Sequence, residues 1–141
     1  MKKYLFQITI AAILLLLVNS CGTTCKMNTK KHLASNPWEL SSLNGKPLDL
    51  NEFRTGIPFF LFDKKGKMTG STGCNNMADS YQVNKTEMVL EPGAITRMFC
   101  QGNGESLFLE ALKQVKNFKI DGEKLILLNG PNEIMTLVPK K

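Results

Sequence analysis

From Trp38 to Val138 the chain is built of short alternations of apolar and polar residues separated by turn dipeptides, with one change of period near residue 105. Trp38, Leu40 and Leu43 alternate into Asn44-Gly45, a pair that favours the left-handed backbone of a tight hairpin. Pro47 to Arg54, with Leu48, Leu50 and Phe53, fits a short strand or a helical turn. Ile57 to Phe62 is a dense apolar run of strand length, with Pro58 favouring a strand start or an edge. Asp63 to Gly66 turns and Lys67 to Cys74 returns; Gly70 and Gly73 there mark bulges or close backbone approach. Tyr81 to Val83 alternates, Asn84-Lys85 turns, and Thr86 to Leu90 makes a strand that Pro92-Gly93 breaks before Ala94 to Met98 begins another. Phe118 with Ile120, Leu125 with Leu127, and Ile134 with Thr136 and Val138 alternate across Asp121-Gly122 and Asn129-Gly130, the pattern of a β-meander.

Between these runs Leu107, Phe108, Ala111, Leu112 and Val115 recur at helical spacing, while Glu110, Lys113, Gln114 and Lys116 take the other face. The spacing predicts one main helix over about 104–116, with Asn103 as its N-cap candidate and Glu105 favourably placed in the first turn. About eight short strands and one helix make a mainly β (α+β) domain, an antiparallel roll or partly closed barrel covered by the helix. At 141 residues, one domain with one core is expected.

The amino terminus follows a different pattern. Lys2 and Lys3 precede an apolar run from Ile8 to Val18, and Val18-Asn19-Ser20-Cys21 ends it. That is the layout of a secretory signal over residues 1–20, with an apolar run too short for a comfortable transmembrane helix. An aliphatic residue at −3 and a small one at −1 make it similar to a bacterial lipobox, in which Cys21 is lipidated after cleavage. Several acyl chains supply the second anchor that stable membrane attachment needs. Residues 21–36 are polar and without hydrophobic period, and are expected to be a flexible tether carrying His32, the only histidine. The folded domain is then expected over 37–141, in the cell envelope.

Removing residues 1–20 takes away Lys2 and Lys3 and no acid, so a net charge of +6 becomes +4. The basic residues are dispersed, with no long block and no interleaved aromatics, which reads as solvated surface charge and argues against nucleic acid. Beyond Cys21 the cysteines are Cys25, Cys74 and Cys100, an odd number in a compartment that permits disulfides.

Two segments stand out: Gly73-Cys74-Asn75 with Tyr81 seven positions after the cysteine, and Thr96-Arg97-Met98-Phe99-Cys100. Together they resemble the META domain, the family that includes the HslJ heat-inducible lipoproteins of bacterial envelopes. The resemblance extends to Trp38-Glu39-Leu40 with Leu43-Asn44-Gly45, to the helix residues Glu105, Phe108 and Leu112, and to Ile120 through Leu125. It departs from the family at Asp79, where glycine is common, and at Phe99, where a small residue is common. The resemblance implies a lipocalin-like β roll and links to envelope stress, antibiotic tolerance and secretion, with no established reaction.

For Cys74 and Cys100 a disulfide ranks first, ahead of buried thiols; a metal or redox site lacks further ligands or a close cysteine pair. Asn75 and Asn76 fit turn stabilisation better than ligand recognition. Thr96-Arg97 could hold a carboxylate or phosphate, but an arginine satisfying loop carbonyls or Glu105 is the simpler expectation. No histidine-based constellation and no phosphate loop followed by a helix is present, so no catalytic residue, cofactor or metal is assigned. The sequence thus points to a non-enzymatic, lipid-anchored protein that acts by binding an envelope protein or small ligand. A lipocalin-like carrier and a protein-binding inhibitor or chaperone-like module are the other classes.

Overall fold

The computed structural model describes residues 29–141, so the expected signal segment over 1–20, Cys21 and Cys25 lie outside the described residues. Nine strands form: β1 (Trp38–Leu43), β2 (Lys46–Pro47), β3 (Phe59–Phe62), β4 (Lys67–Ser71), β5 (Asn76–Asn84), β6 (Glu87–Ile95), β7 (Asn117–Asp121), β8 (Lys124–Asn129) and β9 (Asn132–Pro139). One main helix, α1 (Gly104–Lys113), joins β6 to β7. All neighbouring strands are antiparallel, and β1 also pairs with β9 from Trp38↔Pro139 to Leu43↔Met135. The expected roll is therefore a closed barrel of eight strands, with β2 as a short flap hairpinned to β1. Closure pairs the strand edges that a half-open sheet would leave, except along the β6–β7 seam, where pairing is confined to Glu87↔Asn117.

Alternation explains the core on β1 and β3–β5, while β8 and β9 bury consecutive residues, 125–127 and 134–137. Trp38, Phe60, Met68, Tyr81, Met88, Leu125, Leu127, Met135 and Leu137 are almost fully buried on the strands, and Phe108 of α1 joins them. The ring of Phe60 lies 5.5 Å from that of Phe108, and Phe62 meets Tyr81 edge-on at 4.9 Å. The interior is thus filled by large side chains. Tyr81 keeps its polar end satisfied by donating its hydroxyl to the Asp63 carbonyl at 2.6 Å.

Three expectations change. Pro92-Gly93 does not end a strand: β6 runs on to Ile95, and Pro92 and Gly93 form a bulge in it, two residues set against the single Asp79 between the pairs Ala78↔Ala94 and Ser80↔Glu91. Asp79 faces that bulge from β5, and its Oδ1 accepts the Gly93 N–H at 2.7 Å. Residues 29–36 are not all tether. A helical turn spans 29–33, Leu33 is fully buried, and the Trp38 indole donates to the Leu33 carbonyl at 2.8 Å. A lone leucine among polar residues gives no periodic signal, although it supplies the apolar contact that docks the segment. Helix α1 stops at Lys113, because Gln114 to Lys116 leave the helix to reach β7.

Strands alternate in direction, so turns gather at two ends. The proximal end holds residues 29–37, the β3–β4, β5–β6 and β7–β8 turns and the carboxyl terminus. The distal end holds the β1–β2 turn, residues 72–75, the loop 96–103 and the β8–β9 turn. Both signature segments, Tyr81 apart, lie at the distal end.

Candidate functional site

The distal corner begins at a turn that only a particular residue order permits. Gly73 has φ +91°, and a Cβ there would come within 2.6 Å of the Gly56 carbonyl oxygen, so a side chain is excluded twice over. Gly70 fits the other expectation for this strand, since a Cβ on it would collide with the Phe59 carbonyl. Thr55 donates its hydroxyl to the Gly73 carbonyl at 2.5 Å, tying the turn to the 48–58 segment. The turn is closed by Thr72, whose N–H reaches the Asn75 carbonyl at 2.8 Å and whose hydroxyl oxygen accepts the Asn75 N–H at 2.8 Å.

Asn75 is buried and uses both ends of its amide. Its Oδ1 accepts the Met98 N–H at 2.7 Å and the Thr96 hydroxyl at 2.9 Å. Its Nδ2 faces the Met98 carbonyl at 3.2 Å and the Glu105 carboxylate at 3.0 and 3.1 Å. Thr72 completes the set: it also lies 2.5 Å from Glu105 Oε1, so its single proton goes to the carboxylate while its oxygen serves the turn. A second strap runs from Thr96, whose Oγ1 accepts the Asn76 N–H at 3.0 Å and whose own N–H reaches the Asn76 carbonyl at 3.0 Å. Cys74 and Cys100 close the corner as a disulfide with α-carbons 6.1 Å apart, 26 residues apart in sequence.

Helix α1 starts directly behind this corner. Asn103 occupies the N-cap position without a side-chain cap bond; instead its N–H is taken by Glu52 Oε2 at 3.0 Å. The two acids near the helix start, Glu52 and Glu105, therefore both receive donors, which suits the positive end of the helix. A shallow polar cleft of about 170 Å³ beside the disulfide is lined by Thr72, Gly73, Cys74, Phe99, Glu105 and Ser106.

Of the signature residues, Gly73, Cys74, Asn75, Thr96, Met98 and Cys100 come together here. Tyr81 does not: it lies toward the proximal end, where it braces the β3–β4 turn. Burial, and then the nearby Asp63 charge, push its phenol above the ordinary tyrosine range. Arg97 departs from the simpler expectation. It is exposed and, among the described residues, forms no hydrogen bond or ion pair; the loop carbonyl and the Glu105 carboxylate expected of it are served by Asn75 and Thr72. Met98 and Phe99 beside it are exposed as well, Phe99 to 96%. Thr72, Thr55 and Glu52 were not singled out in the sequence. For Thr72 a signal existed, since a threonine just before Gly-Cys-Asn is placed to make a side-chain turn.

The corner's chemistry is that of a scaffold. Its carboxylate is occupied by Asn75 and Thr72, its cysteines are joined, and His32 lies at the other end of the barrel. Among the described residues no three His, Cys, Asp or Glu side chains are grouped as a metal site.

Comparison with known proteins agrees with this architecture. Among solved structures, a DUF4847-family protein from Bacteroides vulgatus superposes with a TM-score of 0.62 at 16% identity, covering 80% of this chain and 98% of that one. A protein from Burkholderia xenovorans solved by NMR gives 0.62 at 16% identity, with 81% and 88% covered. A further NMR structure gives 0.60 at 23% identity, with 78% and 93% covered. At these identities the likeness is one of fold. No curated protein matches the chain. The family model of the META domain, however, matches residues 31–141, which takes in the docked 31–36 segment, every strand and both signature segments. This chain belongs to the META-domain family.

Proposed function

We propose that this META-domain chain is a lipid-anchored protein of the bacterial envelope with a structural or stress-tolerance role, and that it works by binding a protein partner at its distal end. The observation carrying the reading is Phe99. It stands 96% exposed on a loop whose neighbours are fixed by the Cys74–Cys100 disulfide and the Asn75 amide. A rigid aromatic beside an arginine is the composition of an interface anchor, and fixing it in advance lowers the entropy lost on binding. The same end points away from residue 29, where the segment bearing Cys21 joins the barrel.

The carrier reading has less support, because the barrel interior is occupied by Trp38, Phe60, Tyr81 and Phe108. The inhibitor or chaperone-like reading has one observation in its favour. Pairing of β6 with β7 is confined to Glu87↔Asn117, and an apolar groove of about 200 Å³ between β6 and α1 is lined by Leu90, Ile95, Leu109 and Leu112. An extended segment could add to that edge.

The test is affinity capture of the lipidated chain from crosslinked envelopes. Wild type and Phe99→Ser are compared, with metabolic lipid labelling of wild type and Cys21→Ser in parallel. The reading expects a defined partner that Phe99→Ser loses and a lipid label that Cys21→Ser loses. Identical partners for wild type and Phe99→Ser contradict the distal site, and a label that survives Cys21→Ser contradicts the anchor.

A further inference from the structure

Lysines that are dispersed in the sequence are collected by the fold. Every segment at the proximal end contributes: Lys30 and Lys31 in the docked segment, Lys64, Lys65 and Lys67 in the β3–β4 turn, and Lys85 in the β5–β6 turn. Lys124 comes from the β7–β8 turn, and Lys140 and Lys141 end the chain. All but Lys30 are exposed. The carboxylates of the same segments are Asp63, Glu87, Asp121 and Glu123, and Glu39 on β1 pairs with Lys140 at 3.7 Å. Asp63 is turned into its own hairpin, where its Oδ1 accepts the N–H groups of Lys65 and Lys67 at 2.8 Å each. At the distal end Lys46, Arg54 and Arg97 are outnumbered by Asp49, Glu52, Glu105 and Glu133. The net positive charge of the described residues is thus concentrated on one end of the barrel.

We propose that this proximal end is an electrostatic seat for an anionic phospholipid bilayer. Its lysines would rest on the headgroups and turn the Phe99 loop outward. Two observations select a membrane as the occupant. Charge complementarity is the first, since juxtamembrane lysine clusters are drawn to anionic headgroups over about a Debye length. The second is where the chain enters: residue 29 sits at this same end, with Lys30 Nζ 5.7 Å from the Tyr81 ring centroid. Seven residues lie between Cys21 and residue 29, and the eight steps at about 3.5 Å each cannot hold the barrel further than about 28 Å from a lipidated Cys21. The orientation rests on the anchored reading above; the lipid affinity of the lysine face does not.

The experiment uses the chain from residue 21 with Cys21→Ser, which keeps the whole barrel and carries no lipid. It is sedimented with vesicles of phosphatidylcholine alone or with one part in four phosphatidylglycerol. Binding is expected only to the anionic vesicles and falls more than tenfold between 0.05 and 0.5 M salt. At about fivefold per lysine near a charged surface, Lys64→Gln with Lys65→Gln lowers partitioning tenfold or more. Lys46→Gln at the distal end changes it less than twofold. If the first double variant melts early, Lys85→Gln with Lys124→Gln replaces it. No binding to anionic vesicles at low salt, equal binding to neutral ones, or an equal loss for Lys46→Gln overturns the proposal. Because lipid labelling of Cys21 is scored separately, failure of the anchor and failure of the seat give different results.

Discussion

Replacing Asn75 by aspartate changes one atom pair and tests the distal corner directly. The variant keeps the acceptor that holds the Met98 N–H and the Thr96 hydroxyl, since a carboxylate oxygen can replace Oδ1. The donor is lost, and a second carboxylate oxygen then stands where Nδ2 stood, 3.0–3.1 Å from both Glu105 oxygens. Two unit charges about 4 Å apart repel by about 4 kcal/mol at an effective dielectric near 20. The lost bond to Glu105 adds about 1.5–3 kcal/mol, partly recovered by water at the half-exposed carboxylate. We expect Asn75→Asp to destabilise the domain by about 3–5 kcal/mol at pH 7, at least as much as Asn75→Ala, which loses every amide bond but adds no charge. Adding Glu105→Gln to Asn75→Asp should restore about 2 kcal/mol or more, because the glutamine amide can donate to the new carboxylate while its oxygen still accepts from Thr72. Urea melts of wild type, the two single variants and the double variant, with the disulfide intact, give the cycle. Asn75→Asp within 1 kcal/mol of wild type, or a double variant no more stable than Asn75→Asp alone, refutes the network.

Reducing the disulfide, or Cys100→Ser, should cost about 3 kcal/mol for a loop of this length in the chain-entropy model, read as a shift in urea midpoint. Trp38→Phe removes the indole bond to Leu33 and should release residues 29–36, seen as faster amide exchange there with the β4–β5 amides still protected. The Asp63 carboxyl is held below its usual range chiefly by the Lys67 N–H, so its contribution is complete above about pH 4 and is lost as pH falls through the lowered folded value. Asp63→Asn should therefore flatten acid unfolding below pH 4. Tyr81 has the opposite sign: its raised phenol gives a contribution complete below about pH 10 and lost as pH rises through the folded value. Tyr81→Phe should flatten alkaline unfolding, at a cost of about 1 kcal/mol for the bond to Asp63.

Much of the fold is legible because each strand carries its own period-2 pattern and each tight hairpin its own turn residues. Asn44 and Gly45 both take positive φ, as their dipeptide signals, and the helix appears where the apolar period changes. Barrel closure is not local: the β1–β9 pairing joins the two ends of the domain, and no residue pattern marks it. The strand through residues 92–93 was hidden because Pro92-Gly93 reads as a break, whereas the ladder takes the pair up as a bulge that Asp79 spans. At the site, the cysteines and Asn75 were visible as a motif. The partner that gives Asn75 its role, Glu105, lies 30 residues away, and in the sequence it suggests a dipole contact or a partner for Arg97 rather than for Asn75. Arg97 misled for the opposite reason, since an arginine's bonding capacity says nothing about which neighbours the fold brings within reach. The charge of the proximal end escaped because lysines spread over five segments form no run.

The central claim is that the family signature builds a fixed scaffold whose outward product is the Arg97-Met98-Phe99 loop. The measurement that meets it most directly is site-specific photocrosslinking in intact envelopes. A photoreactive residue is placed at 99, at Leu61 on the outer barrel wall, and at Lys113 beside the β6–α1 groove. We predict one discrete adduct from position 99 that disappears when Asn75→Asp loosens the loop, and none from 61 or 113. A discrete adduct from 113 instead, or no adduct from 99 in a folded and anchored protein, contradicts the account.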